Sequence, residues 1–218
     1  NMSHAKTPLA ILWDFGGVLT SSPFDSFARY EAEHGLPKDF LRGVNARNHH
    51  TNAWAQFESS QVSLDEFDRL FEEESRALGH AVKGQAVLDL LGGDVRPRMV
   101  EVLQRCKQDY HVCCLTNNVN MGEGPGMWGT PARAAQVAEV MTMFHQVIES
   151  SKIGMRKPDP RIYTLACERM NVAPQEVVYL DDLGVNLKPA SALGMHTIKV
   201  TGEVQAIADL SAALGIAL

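Results

Sequence analysis

Apolar residues recur along the chain in two rhythms. Short strand-like runs at 9–13, 111–115, 146–149, 177–180 and 196–200 are separated by longer stretches whose apolar positions fall three and four residues apart. An apolar run without alternation suits a strand covered on both faces, and the three-four spacing suits a helix with one buried stripe. Beyond residue 93 the predicted order is a helix over 97–108, a strand, a helix over 131–143, a strand, a helix to 170, a strand, a helix to 193, a strand and a closing amphipathic helix. Such alternation predicts an α/β fold, a Rossmann-like three-layer core with helices on both faces of a parallel sheet.

Residues 22–92 break that alternation and read as helix throughout. Pro23 opens a helix carrying Phe24, Phe27 and Tyr30, and Gly35 ends it. A second helix is expected from Pro37 to about Arg47, then a polar break at Asn48-His49-His50-Thr51-Asn52 and a short helix with Trp54 and Phe57. Ser63-Leu64-Asp65-Glu66 has the form of a capping box ahead of a Leu64, Phe67, Leu70, Phe71 stripe. A last helix over 83–91 precedes Gly92-Gly93. The division this predicts is an α/β core made of 8–21 and 93–218, with an all-helical insertion at 22–92. Residues 121–130 hold four glycines and one proline, which predicts a mobile loop.

Composition narrows the function classes. A chain of 218 residues can bury one sizeable core and an inserted subdomain, and 45% apolar with 21% charged residues is ordinary for a folded protein. The net charge of -6 offers no electrostatic footprint for nucleic acid or an anionic membrane. An anionic substrate must be drawn by a metal or a few local cations. Cys106, Cys113, Cys114 and Cys167 lack zinc-site spacing and are expected as small buried hydrophobes. No apolar segment has transmembrane length and the start Asn1-Met2-Ser3-His4-Ala5-Lys6 lacks a signal-peptide core, so a cytoplasmic protein with reduced thiols, monomeric or homodimeric, is expected.

The candidate chemistry lies where strands end. Asp14 follows the first run and is itself followed by Gly16-Gly17; Thr116 and Asn117 end the second; Asp181 and Asp182 end the fourth; Lys157 adds a point charge. Carboxyl ends of strands are where open α/β sheets bind ligands. Asp14-Phe15-Gly16 also matches a kinase triplet, but the kinase lysine strand and catalytic loop are missing. Hard oxygens without histidine or thiol suit Mg2+, and one aspartate of such a set can attack phosphorus. Thr116 and backbone amides then bond the phosphoryl oxygens while Lys157 balances their charge.

Asp14-Phe15-Gly16-Gly17-Val18, Leu115-Thr116-Asn117, Lys157-Pro158-Asp159-Pro160 and Leu180-Asp181-Asp182 stand in the order and approximate spacing of the four motifs of the haloacid dehalogenase superfamily, and the helical block resembles its C1-type cap. The stretches Gly154–Tyr163 and Leu180–Ala190 are also similar to the N-terminal phosphatase domain of soluble epoxide hydrolases and to the phosphatase-like domain fused to some acyl-CoA dehydrogenases. The resemblance implies a magnesium-dependent phosphatase of a small phosphorylated metabolite working through an aspartyl-phosphate. Asp14 matches the nucleophile, Thr116 the phosphate-binding hydroxyl and Lys157 the cation, with Lys152 as its runner-up. Asp182 matches a metal ligand, Asp181 stands behind it as an indirect or additional one, and Asn117 is expected at the phosphate.

Gly16 departs from the pattern. It keeps the backbone carbonyl that binds Mg2+ but lacks the carboxylic acid the family's phosphatases usually carry there, and a positioned acid is worth about 10²–10⁴-fold in rate. The implied alternatives are a substrate with a good leaving group, an acid supplied by the cap, or a weakly catalytic module that binds phosphometabolites. A metal-independent carbon–halogen hydrolase is a further alternative. Phe24, Trp54 and the Phe67-Phe71 pair are expected chiefly in the core of the helical block, and His49, Asn52 and Trp54 are kept as candidates for specificity.

Overall fold

A computed structural model describes residues 6–121 and 126–218. The strands β1 (Ala10–Trp13), β2 (His111–Thr116), β3 (Gln146–Glu149), β4 (Val177–Asp181) and β5 (His196–Lys199) form one sheet in the order β3-β2-β1-β4-β5, with every neighbouring pair parallel. Five helices, α1 (Pro23–Glu33), α2 (Phe40–Ala46), α3 (Ala53–Glu58), α4 (Leu64–Ala77) and α5 (Gly84–Leu88), follow β1 with no strand among them. Then α6 (Pro97–Lys107) leads to β2, α7 (Pro131–Met141) to β3, α8 (Ser150–Ile153) and α9 (Pro160–Met170) to β4, α10 (Gly184–Leu193) to β5, and α11 (Glu203–Leu214) comes last.

The absence of alternation within the strands has a direct cause. Ile11, Trp13, Val112, Cys114, Val178 and Leu180 pack with residues of α6, α7 and α11, while Ala10, Leu12, Cys113, Leu115, Val177 and Tyr179 pack with α9 and α10 on the opposite face. Successive side chains point to opposite faces, so a sheet buried on both sides needs apolar residues at every position. The result is the three-layer α/β arrangement, with all four cysteines buried and free of disulfides. Among the described residues no helix is long and apolar enough to cross a membrane.

The helices of the inserted run have a core of their own. Phe67 meets Phe57 edge-on with ring centroids 4.7 Å apart and Trp54 at 5.6 Å, around a cluster with Phe27, Leu41, Val44 and Phe71. The Ser63–Glu66 capping box starts α4. Where the chain leaves and re-enters the α/β layer, its two passages run side by side through a Thr20–Val95 bridge and Ser21 N–H to Asp94 O at 2.8 Å.

Two local departures from the sequence pattern have identifiable reasons. Helix α2 begins at Phe40, not near Pro37: Asp39 takes a left-handed conformation (φ 60°), and the buried Glu31 carboxylate accepts from the Asp39 and Leu41 N–H groups at 3.2 and 2.9 Å. The single turn α8 directly follows β3 and ends at a left-handed Gly154. Of the expected mobile loop, Gly126–Trp128 forms a 3-10 turn with Trp128 edge-on to Phe15, and residues 122–125 lie outside the described residues, as does the chain start at 1–5.

Candidate active site

The ends of β1, β2 and β4 lie side by side, which brings residues far apart in sequence to one place. Asp14 continues the β1–β4 pairing through its N–H to Leu180 O at 2.9 Å, and its Oδ1 accepts from the Phe15 N–H at 2.8 Å. Lys157 donates from Nζ to Asp14 Oδ1 and to Asp181 Oδ2, each at 2.9 Å, and only 1% of this residue is exposed. Asp181 is enclosed: Tyr179 Oη donates to Oδ2 at 2.5 Å, the Leu183 N–H to Oδ1 at 2.9 Å, and Asn186 Nδ2 reaches both oxygens at 3.3–3.4 Å. Asp182 is less buried and faces Asp14. Its carboxylate lies so close over Gly17 that any Cβ there would overlap it, and Gly17 has φ +85°; glycine is required on both counts.

Oxygens of Asp14, Asp181 and Asp182 lie within 4.8 Å of one another. Their electrostatics are those of a crowded acid site. Burial pushes the Asp14 carboxyl well above its usual range, and the Asp181 charge adds to the effect against the pull of Lys157. Asp182 is raised to about 6, by burial first and Asp181 second. Burial works against the charge on Lys157, but Asp14 and Asp181 together outweigh it and hold the ammonium above the usual lysine range. Three carboxylates against one ammonium leave a charge of −3 + 1 = −2 in the ionised state. A divalent hard cation with oxygen ligands fits that deficit, and no histidine or thiol belongs to the cluster.

Thr116 is the last residue of β2, buried, and borders the same cavity as Asp14. Asn117 borders it too, but its amide is turned to the chain: Nδ2 donates to Lys157 O at 3.0 Å and Oδ1 accepts from the Lys157 N–H at 2.8 Å. The residue expected at the phosphate is therefore first a brace for the lysine. Gly16 also lines the cavity, and a Cβ built there meets nothing within 4 Å. Lys152 pairs with Glu149 at 2.6 Å with its side chain 77% exposed, so the buried position beside Asp14 belongs to Lys157. Asn52 is not at the cavity; its side chain caps α3 and bonds the carbonyls of Asn45 and Arg47 at 2.9 and 3.0 Å, because a tight turn with buried backbone needs those partners. His49 and Trp54 do line the cavity, and so does Phe24, while Phe67 and Phe71 stay in the helical core.

The cavity measures about 830 Å³ and is walled by the strand ends on one side and by α1–α3 on the other. A polar bridge spans the two sides. Arg156 Nε donates to Glu58 Oε1 at 2.7 Å, Arg156 Nη1 to His49 O at 2.8 Å, and Ser60 Oγ to Ser151 O at 2.5 Å. Burial raises the Glu58 carboxyl even against the Arg156 charge. Sequence reasoning missed this pair, since nothing in spacing links residues 98 apart. The only pointer was a basic residue directly before Lys157. Tyr179 was also missed, because within an apolar strand it reads as core.

Comparison with known proteins places these features in context. A family model described as haloacid dehalogenase-like hydrolase matches residues 8–194. The chain is 31% identical over 225 residues to acyl-CoA dehydrogenase family member 10 of Mus musculus, covering 99% of this chain and 20% of that protein. It is 30% identical over 221 residues to bifunctional epoxide hydrolase 2 of Sus scrofa, covering 96% of this chain and 39% of that protein. The chain thus spans well under half the length of these relatives. Its fold is shared with a haloacid dehalogenase family enzyme of Bacteroides thetaiotaomicron solved with magnesium and inorganic phosphate, at a TM-score of 0.60 and 19% identity over 90% of this chain and 96% of that one.

Proposed function

The chain belongs to the haloacid dehalogenase-like hydrolases, and from that premise we propose that it is a magnesium-dependent phosphatase of a small phosphorylated metabolite, acting through an aspartyl-phosphate on Asp14. The observation that carries this reading is the meeting of the Asp14 and Asp182 carboxylates with the buried Lys157 ammonium at adjacent strand ends. Residues 22–92 act as the cap over the site, and the setting is cytoplasmic.

With Oδ1 held by Lys157 and the Phe15 N–H, the Asp14 carboxylate has a fixed orientation toward the cavity. One of its oxygens attacks phosphorus, an O–P bond forms, and the ester P–O bond breaks with its electron pair going to the leaving oxygen. The leaving oxygen takes a proton from solvent; water then attacks the phosphorus of the acyl phosphate and gives up a proton to solvent, the P–O bond to Asp14 breaks, and inorganic phosphate and the free Asp14 carboxylate result. Lys157 balances the charge of the transferring group, and the Thr116 hydroxyl donates to a phosphoryl oxygen. Asp181 acts through Lys157, whose ammonium it holds beside Asp14. Asp14, Asp182 and the Gly16 carbonyl would hold Mg2+, which supplies charge neutralisation at the phosphoryl oxygens when bound.

Gly16 supplies no acid for the leaving oxygen, which favours substrates that need none, such as acyl or anomeric phosphates. The same gap supports a second reading, a regulatory module that binds phosphometabolites with little turnover. Carbon–halogen hydrolysis is the third and fits less well, because it has no need of the surplus carboxylates. Phosphate release from acetyl phosphate and p-nitrophenyl phosphate tests the choice. The expected result is release that requires Mg2+ and disappears in Asp14→Asn. A wide ester panel with no turnover above that variant overturns the phosphatase reading, and calorimetric binding without turnover selects the regulatory one. Halide release in chelator selects the dehalogenase.

A further inference from the structure

Helix α2 presents Arg42, Asn45 and Ala46 to the cavity, with His49 one turn on, while Leu41 and Val44 face the helical core. Four cationic side chains line that cavity. Lys157 is paired with Asp14 and Asp181, Arg156 with Glu58, and Lys152 with Glu149. Arg42 has no carboxylate partner among the described residues; its guanidinium lies 3.9 Å from the centroid of the Phe24 ring. Phe24 is held edge-on by Phe27 at 5.8 Å, so the surface under the guanidinium is itself fixed. Apolar side chains of Phe27, Leu91, Met127, Trp128 and Met141 line the same cavity.

From this arrangement we infer that Arg42 is a specificity-determining residue that receives a second anionic group, borne on an otherwise apolar phosphate ester whose phosphoryl group sits at Asp14. The inference rests on the strand ends being a phosphate-binding site. A planar guanidinium stacked on an aromatic face loses little freedom when it accepts a ligand, keeps its N–H fork for a carboxylate or phosphate, and forms a charge-assisted bidentate bond there. Burial of the apolar body against Phe27, Leu91 and Trp128 supplies affinity that the two anionic ends orient.

Two matched series of para-substituted phenyl phosphates test it, one with alkyl tails of one to four carbons and one with the same tails ending in a carboxylate. Rates are measured with Mg2+ for the unaltered protein, Arg42→Gln and Arg42→Lys, and calorimetry with the corresponding benzylphosphonates reads binding without turnover. At one tail length the carboxylate is expected to raise kcat/KM and tighten Kd by about tenfold or more, a preference that Arg42→Gln abolishes and Arg42→Lys partly keeps. Hydrolysis of both series with no preference at any length overturns the inference and leaves the phosphatase reading intact. Equal loss on both series in Arg42→Gln also overturns it, by showing a structural role. A preference seen in phosphonate binding and lost in Arg42→Gln, with no hydrolysis of any ester, supports the inference while removing the phosphatase reading.

Discussion

At the scale of single residues the decisive position is Gly16. A Cβ there has open space, and the residue is not among those with positive φ, so an aspartate can be introduced without backbone strain. Gly16→Asp is expected to raise kcat on esters of poor leaving groups, up to about 10²–10⁴-fold, and to change acyl phosphates little. The dependence of kcat/KM on leaving-group pKa is the measurement; an equal gain on both classes shows that the proton already comes from elsewhere. Asp14, Gly16 and the Asp181-Asp182 pair were legible because each stands where an apolar run stops. The need for glycine at 17 was not, since it comes from an Asp182 carboxylate 165 residues away in the chain. Asn117 was legible as a polar residue at a strand end, but its orientation toward the Lys157 backbone follows from a loop that passes in front of it.

At the scale of elements, the strands and most helices follow from periodicity, because burial on both sheet faces and amphipathic stripes leave direct traces in sequence. The start of α2 and the turn α8 did not, since a distant carboxylate caps the one and the other is a single turn. The contact between elements that matters most here is also unreadable locally. Glu58 at the end of α3 grips Arg156 in the loop before α9, and that loop carries Lys157 as its next residue. Glu58 has its side chain 5% exposed and Arg156 19%. Glu58→Ala therefore leaves a mostly buried guanidinium with the His49 carbonyl as its remaining strong partner, at an expected cost of about 1–3 kcal/mol in denaturant unfolding. That is less than the roughly 3–5 kcal/mol of breaking a fully buried pair. Adding Arg156→Met should recover part of the loss, because the stranded charge is then gone. A single variant within about 0.5 kcal/mol of the parent would show that the pair contributes nothing measurable.

At the scale of the whole molecule, the carboxylate cluster ties stability to pH and to divalent cations. Asp14 and Asp182 both titrate above their ordinary values, Asp182 at about 6. A raised carboxyl holds its proton more tightly folded than unfolded. Its favourable contribution is complete below the unfolded value near 3.8 and is lost as pH climbs through the folded one. From about pH 4 upward both groups thus pull the metal-free protein's stability downward as pH rises, Asp182 over the range up to about pH 7, opposite to the trend of ordinary salt-bridged carboxylates. A divalent cation that binds the ionised cluster acts only on the folded state and removes that penalty. The expected outcome is a Tm increase with millimolar Mg2+ that is large near pH 8 and small near pH 5, where protons already occupy the cluster. Asp182→Asn should flatten both trends, since it removes one of the opposed charges and a metal ligand together. Equal Mg2+ shifts at the two pH values in the unaltered protein would mean that the cation binds somewhere other than these strand ends.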